Sequence, residues 1–173
     1  AFMISYNNNK IKELYDGKQD VNKTLFVGRP IGQFYLLKSE GIWQTNEAAE
    51  AAKYNAQPGD RKILDAKKDY VINGEDRDFC GVSTPKYYGS FTNTFSYKGI
   101  ELSAMFSYSI GGYVYDRDKI MILHSGSAAG RSWSTEMLDR WTPENRYTDV
   151  PALSTTSNQW TSTSTRFLYN NSY

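Results

Sequence analysis

The fold is decided by residues 85–110, which read PKYYGSFTNTFSYKGIELSAMFSYSI. Apolar and polar side chains alternate through this stretch, which is the pattern of two β-strands that each have unlike faces. One face carries Tyr87, Gly89, Phe91, Asn93, Phe95 and Tyr97, followed by Ile100, Leu102, Ala104, Phe106, Tyr108 and Ile110. The other face carries mainly Ser and Thr. Lys98-Gly99 between the two halves predicts a tight turn, because Gly adopts positive φ without strain.

The two predicted strands, at about 11 to 13 residues each, are longer than the usual globular strand of about five or six residues. A tilted strand of that length spans a bilayer, and the Tyr residues near its ends suit the two membrane interfaces. A soluble antiparallel sheet with one packed face and one wet face shows the same alternation. The hairpin alone therefore leaves open both a transmembrane barrel and a soluble sandwich.

The composition excludes several classes of function. The 20 Lys and Arg residues nearly balance the 19 Asp and Glu residues, so no basic surface for a nucleic-acid partner is predicted. Cys80 is the single cysteine and His124 the single histidine, which excludes an internal disulfide and Cys-rich or His-rich metal sites. No nucleophile motif accompanies them, and we predict that the chain is not an enzyme.

Two long segments flank the hairpin, and each is predicted to carry one short helix, at residues 46–55 and 133–141. Short turns on one side and long loops on the other are typical of bacterial outer-membrane barrels. The layout predicts a membrane-spanning hairpin at 85–110 and extracellular loops at 16–84 and 111–170. All 173 residues would form part of one β-barrel domain. Both chain ends interrupt strand-like runs, so we expect an internal piece of a longer protein.

Residues 65–76 have the length of an EF-hand-type calcium loop. The candidate ligands are Asp65, Asp69, the Val71 carbonyl, Asn73 and Asp76. Two key positions do not fit, because Lys67 puts a cation where an oxygen ligand is needed and Tyr70 stands where the turn requires Gly. Ca²⁺ is the one cofactor that the sequence leaves open. The simpler interpretation of residues 65–76 is a solvated charged turn.

The four tryptophans all lie in the predicted extracellular loops: Trp43, Trp133, Trp141 and Trp160. Exposed aromatic rings stack on sugars and anchor partner proteins, so all four are candidate ligand- or partner-binding residues. The alternative is that they form small cores within the loops. That alternative is favoured for Trp133 and Trp141, which share a helical stripe with Met137 and Leu138. Trp160, in a Ser/Thr-rich tract, is the better candidate for binding.

A series of short, distinct sequence blocks follows in a fixed order from residue 27 to residue 173. They are 27–35 (VGRPIGQFY), 38–45 (KSEGIWQT), 57–60 (QPGD), 71–73 (VIN), 75–77 (EDR), 84–86 (TPK), 93–99 (NTFSYKG), 133–136 (WSTE), 138–145 (LDRWTPEN), 149–151 (DVP), 164–168 (STRFL) and 172–173 (SY). In this order they resemble the SusC/RagA family of TonB-linked outer-membrane proteins. Each block alone is a weak signal, whereas the ordered set is specific.

The resemblance implies antiparallel strands of a large, plugged transmembrane β-barrel in the outer membrane of a Gram-negative bacterium. It implies an importer of oligosaccharides or peptides that is powered through TonB, with a SusD-like surface lipoprotein as its lid and outer-membrane lipid around the wall. This chain would supply barrel wall and substrate- and lid-facing loops. The parts that contact the TonB complex would lie elsewhere.

One departure from the family pattern concerns the calcium-like loop. Family members commonly carry an Asp-x-Asn-Gly-Asp-Gly run, and here Lys67, Lys68 and Tyr70 replace Asn, Gly and Gly.

The competing hypothesis for the whole chain is a secreted, soluble β-sandwich that binds glycans through exposed aromatic residues. Composition fits that hypothesis nearly as well, and the ordered blocks argue against it by resemblance.

Overall fold

The computed structural model describes residues 1–15, 17–126, 130–154 and 163–173. Its strands are β1 (Phe2–Tyr6), β2 (Gln19–Asp20), β3 (Leu25–Phe26), β4 (Gln33–Leu37), β5 (Ser39–Ile42), β6 (Arg61–Ile63), β7 (Arg77–Val82), β8 (Tyr87–Tyr97), β9 (Ile100–Ile110), β10 (Tyr113–Tyr115) and β11 (Leu168–Asn170). Its α-helices are α1 (Ala48–Ala51) and α2 (Arg117–Ile122), with 3₁₀ turns at Thr45–Glu47, Ala52–Tyr54, Gly74–Asp76, Thr135–Asp139 and Thr165–Phe167. The predicted dominance of antiparallel β-structure with short helices is confirmed. Closure into a barrel stays a prediction.

The chain divides into two compact units. The sheet unit comprises Ala1–Tyr35, Phe79–Val114 and Tyr169–Tyr173. The loop unit comprises Leu36–Asp78 and Tyr115–Leu168. Most of the two predicted loops therefore belongs to one folded body, which the sequence patterns did not predict. None of the described helices is long and apolar enough to cross a membrane.

The sheet unit is built on a three-stranded antiparallel sheet in the order β1-β8-β9. The hairpin pairs Tyr87 with Ile110 at one end and Tyr97 with Ile100 at the other, without a bulge. Lys98 and Gly99 both have positive φ, 48° and 84°, which is the requirement of a two-residue type I′ turn. The predicted turn and the predicted sharing of faces are therefore both observed.

The loop unit has a small apolar core of Leu123, Met137, Val150 and Phe167, with Tyr115 and Ile120 packed against it. Helix α2 begins where the Asp116 side chain accepts the Lys119 backbone N–H. Burial raises the pKa of Tyr115 to about 12. These residues come almost entirely from the second of the two predicted loops.

Asp149 ties the two chain segments of the loop unit together. Arg61, 2% exposed, donates from Nη1 to Asp149 Oδ1 at 2.5 Å and to Ser39 Oγ at 3.1 Å, and from Nη2 to the Asp149 carbonyl. Arg166 donates from Nε to Asp149 Oδ2 at 3.3 Å. A single carboxylate thus pairs with two buried guanidinium groups.

The first predicted helix is helical over residues 45–54 but α-helical only at Ala48–Ala51, and the second is shorter than expected. The first begins at Thr45 rather than after an Asn46 cap, because Glu47 Oε2 accepts the Gln44 N–H at 3.0 Å. The second is only the 3₁₀ turn Thr135–Asp139. Because 3₁₀ geometry aligns residues three apart, the predicted α-helical stripe does not form, and Leu138 is 79% exposed.

Candidate functional site

One face of the three-stranded sheet is apolar and exposed. Its cross-strand rungs place Phe2 beside Phe91 and Phe106, Ile4 beside Gly89 and Tyr108, and Phe95 beside Leu102. Phe95 is 59% exposed and Leu102 63% exposed. A soluble monomer rarely leaves so large a contiguous apolar patch uncovered. The face predicted from alternation is therefore real, and nothing in the described residues packs over it.

Aromatic rings mark both ends of this apolar face. Tyr6 and Tyr87 lie with ring centroids 5.0 Å apart at one end, and Lys98 Nζ lies 5.3 Å from the Tyr97 ring at the other. The strands β8 and β9 have 11 residues each, so their length is roughly 34 Å at about 3.4 Å per residue. Tilted by about 40°, they span about 25 Å, the height of an outer-membrane apolar band.

The opposite face of the hairpin is mainly small and polar, with Tyr88 and Met105 as its larger side chains. Its rungs pair Ser90 with Ser107, Thr94 with Ser103, and Ser96 with Glu101. The Thr94 and Ser103 hydroxyl oxygens are 3.2 Å apart, within hydrogen-bonding distance. A face made mainly of hydroxyl groups suits contact with water, so the two faces of the hairpin are built for different solvents.

Gly89 lets an aromatic ring lie across the sheet. The Tyr108 ring packs against the Gly89 backbone, and its hydroxyl donates to the Met3 carbonyl at 3.4 Å, two strands away. A Cβ at Gly89 would collide with both partners. The sequence placed Gly89 on the apolar face, but alternation alone gave no sign of this ring contact.

Trp43 is buried in an aromatic cluster of the loop unit. Its ring centroid is 5.7 Å from that of Tyr54, which is 5.4 Å from that of Tyr70. Lys62 Nζ lies 4.5 Å from the Trp43 ring centroid, which is cation–π geometry. A cleft of about 260 Å³ opens beside Trp43, Tyr54 and Tyr70. Tyr70, 47% exposed, presents more of its ring to a ligand than Trp43, which is 5% exposed.

The other candidate tryptophans have different surroundings. Trp141 is buried against Gly59 and donates from Nε1 to Gln44 Oε1 at 3.1 Å. Trp133 is 46% exposed and donates from Nε1 to His124 Nδ1 at 3.3 Å. Trp160 lies outside the described residues. Trp43 and Trp141 thus occupy packing positions, and Trp133 keeps an accessible ring.

The calcium-like loop is closed by its own backbone. Asp65 accepts the N–H groups of Lys68 and Tyr70 at 2.6 and 2.9 Å. Asp76 accepts those of Ala66 and Asn73 at 3.1 and 2.9 Å. Burial raises the pKa of the Asp65 carboxyl. The backbone hydrogen bonds that Asp65 accepts, together with one from the Tyr54 hydroxyl, outweigh burial and hold that pKa below its usual value.

The remaining charged groups of this loop pair locally. Lys67 forms an ion pair with Glu75, and the Asp69 side chain accepts the Val71 N–H at 2.9 Å. Lys67 therefore places its own ammonium group in a position where calcium loops carry an oxygen ligand. No cluster of three or more metal-ligating side chains occurs in the described part of the chain. Calcium binding stays a prediction that the geometry does not favour.

Comparison with known proteins finds relatives along the whole chain. It is 29% identical over 188 aligned residues to the TonB-dependent receptor P3 of Formosa agariphila, covering 100% of this chain and 18% of the relative. It is 30% identical over 165 residues to the TonB-dependent receptor P26 of the same organism, covering 87% of this chain and 16% of the relative. The chain thus spans under a fifth of the length of these relatives. No protein-family model matches it.

Solved structures agree on the fold. The structure of the RagAB peptide transporter superposes with a TM-score of 0.71 at 24% identity, covering 98% of this chain and 18% of the other. The "open-open" state of the RagAB peptide importer gives a TM-score of 0.69 at 24% identity with the same coverage. These matches agree with the resemblance carried by the ordered sequence blocks.

Proposed function

We propose, from the premise that this chain belongs to the TonB-dependent receptors of the SusC/RagA type, that it forms barrel wall and extracellular surface of an outer-membrane importer. TonB-dependent receptors are outer-membrane proteins of Gram-negative bacteria, so the predicted localisation is confirmed. The hairpin at 85–110 crosses the membrane, and its exposed apolar face contacts lipid. Residues 16–84 and 111–170 lie outside the cell.

The exposed apolar face is the observation that carries this proposal. Rows of Phe, Leu and Ile side chains stand in solvent along strands long enough to cross a bilayer. Burial of such a face in lipid gains about 25 cal/mol per Å² of apolar surface. The polar Ser/Thr face then lines a watery lumen, as in barrels that conduct hydrophilic solutes.

The remaining parts of the proposal follow from the family. β1 runs outward, β8 inward and β9 outward, so the Lys98-Gly99 turn lies in the periplasm. The loop unit contributes to the vestibule that a SusD-like lipoprotein covers, and energy reaches the receptor through TonB-contacting parts elsewhere. The transported solute is an oligosaccharide or a peptide. Because the structurally similar RagAB is a peptide transporter, a peptide is the first solute to test.

The soluble glycan-binding sandwich is the weaker alternative. It would need a second sheet over the face that carries Phe91, Phe95 and Leu102, and the described residues supply no such layer. No bond-making chemistry is part of the proposal, because the similar proteins are receptors and transporters. The work of the segment is to bind, guide and gate a solute.

Cysteine labelling on intact cells tests the proposed topology. In a Cys80→Ala background of the full-length receptor, Lys53→Cys and Glu144→Cys report on the two extracellular loops. Both should react with a membrane-impermeant maleimide. Lys98→Cys, at the proposed periplasmic turn, should react only after the outer membrane is permeabilised. Labelling of Lys98→Cys on intact cells with protection of the two loop sites would refute the orientation.

A further inference from the structure

A cavity of about 500 Å³ with a mixed wall, apolar at Pro30, Val82 and Pro85, lies at the end of the sheet that is opposite the hairpin turn, within the sheet unit. Its wall includes three consecutive carboxamide side chains, Asn7, Asn8 and Asn9, with Lys10, Thr84 and Lys86. No carboxylate is among its lining residues. The cavity therefore offers hydrogen-bond donors and positive charge without a competing anion.

Strand alternation, extended one residue past β1 and β8, indicates which face of the sheet Asn7 and Lys86 share. The Asn7 N–H donates to the Lys86 carbonyl at 3.0 Å, and the Lys86 N–H donates to the Ile110 carbonyl at 2.8 Å. Tyr6 pairs with Tyr87 on the apolar face, so continued alternation would place Asn7 and Lys86, one step beyond the strands, on the polar face. The cavity thus belongs to the face proposed to line the lumen, away from lipid.

The cavity wall is held in place by the backbone. Asn9 Oδ1 accepts the Ile31 N–H at 2.8 Å, which fixes that carboxamide. The Ile11 N–H donates to the Arg29 carbonyl and the Gly28 N–H donates to the Ile11 carbonyl, both at 2.9 Å. These bonds fasten the segment that carries the asparagines, so a ligand need not order the wall on binding.

The two lysines of the wall are not neutralised. Neither Lys10 nor Lys86 forms an ion pair with any carboxylate of residues 1–15, 17–126, 130–154 and 163–173. Lys86 Nζ instead lies 6.0 Å from the Tyr87 ring centroid. A ligand carboxylate would give these ammonium groups the charge-assisted hydrogen bonds that the described carboxylates do not supply.

We propose that this cavity binds a carboxylate group of the transported solute, so that the receptor prefers acidic over neutral oligomers. Lys10 and Lys86 would bind the carboxylate, and Asn7 and Asn8 would bind adjacent hydroxyl or amide groups. The proposal rests on the proposed function for the assignment of the cavity to the lumen. A membrane phosphate is the wrong source of negative charge, because lipid faces the other side of the sheet.

Two solutes carry this chemistry, an acidic oligosaccharide and a peptide with a free C-terminus. The probes are therefore hexagalacturonate with its methyl ester, and a hexapeptide acid with its C-terminal amide. Within each pair the carboxylate is replaced by a neutral group of similar size. Binding is measured by calorimetry on the detergent-solubilised full-length receptor, in which lipid contact plays no part. Failure here thus leaves the membrane topology untouched and is distinguishable from failure of the proposed function.

The wild-type receptor should bind one acidic probe about tenfold or more tightly than its neutral derivative. Lys10→Gln and Lys86→Gln should each remove most of that preference and leave the neutral probe within about twofold. Lys12→Gln removes an exposed charge two residues from Lys10 that does not line the cavity, and it should change nothing. Lys86→Arg should keep the preference.

Several results would overturn the proposal. These are equal wild-type affinity for the acidic and neutral members of both pairs, no binding of either acidic probe at millimolar concentration, and an equal effect of Lys12→Gln. The comparison of acidic and neutral probes on the wild-type receptor tests the proposal even if a substituted receptor fails to assemble. The probe pair that responds identifies the source of the carboxylate.

Discussion

Asp149→Ala tests the ion-pair cluster that holds the loop unit together. The Arg61 side chain is 1% exposed and the Arg166 side chain 2% exposed, so both lose their carboxylate partner where water cannot replace it. Breaking a buried pair costs about 3 to 5 kcal/mol. The Asp149 side chain is 66% exposed, which weakens the pair, and Arg61 keeps Ser39 Oγ and the residue-149 carbonyl as acceptors. We therefore expect Asp149→Ala to lower the free energy of opening of the loop unit by about 2 kcal/mol.

Hydrogen exchange on the full-length receptor measures this quantity as the free energy of local opening. Amides of β5, β6 and the segment after Asp149 should exchange about 30-fold faster in Asp149→Ala than in the wild type. Amides of β8 and β9 should be unchanged, since they belong to the sheet unit. Glu144→Ala, which removes an exposed carboxylate from the same loop, is the matched control.

A change of less than about threefold would refute this reasoning. It would mean that the two guanidinium groups do not depend on Asp149 and that the loop unit is held by its apolar core alone. Equal acceleration in Glu144→Ala would also refute it, because the effect would then follow net charge rather than the buried pairs.

Three further predictions concern the sheet, the pH response and the calcium-like loop. Gly89→Ala should lower the amount of folded receptor, measured as the heat-modifiable band on gels, because the added Cβ collides with the Tyr108 ring. Ser90→Ala, on the polar face, should leave that amount unchanged. Hydrogen bonds from Lys62 and the Gln44 N–H lower the pKa of Glu47 in the folded protein. The ionised Glu47 side chain therefore stabilises the fold fully above its unfolded pKa of about 4.3, and this stabilisation is lost as the pH falls through the lowered pKa. Glu47→Gln should flatten that acid response in thermal melts, and an unchanged response would contradict the pairing. Calcium followed by chelator should leave hydrogen exchange in loop 65–76 unchanged, and slowed exchange would show that calcium binds.

The hairpin was predictable because its information is local. Alternation fixes which side chains share a face, and Lys98-Gly99 fixes the register by its backbone conformation. The pairing of Phe91 with Phe106 follows from those two facts. The same locality explains why the outer limits of the strands were nearly correct.

The loop unit was not predictable because its contacts are distant in sequence. Arg61 meets Asp149 across 88 positions, and no pattern around either residue indicates its partner. The predicted helical stripe of Trp133 and Leu138 does not form, because the segment is only a 3₁₀ turn that begins after the Ser134 cap. The cavity beside Asn7 and Lys86 likewise depends on register, because these two residues are neighbours only through the pairing of β1 and β8.

Contact between the apolar hairpin face and lipid is the central claim, and fluorescence quenching measures it most directly. An environment-sensitive fluorophore is attached at Phe95→Cys or Leu102→Cys in the Cys80→Ala full-length receptor, with Thr94→Cys and Ser103→Cys as partners on the polar face. The receptor is reconstituted in lipids brominated along their acyl chains. We predict strong quenching at residues 95 and 102 and weak quenching at 94 and 103. Equal quenching on both faces, or stronger quenching at 94 and 103, would contradict the account.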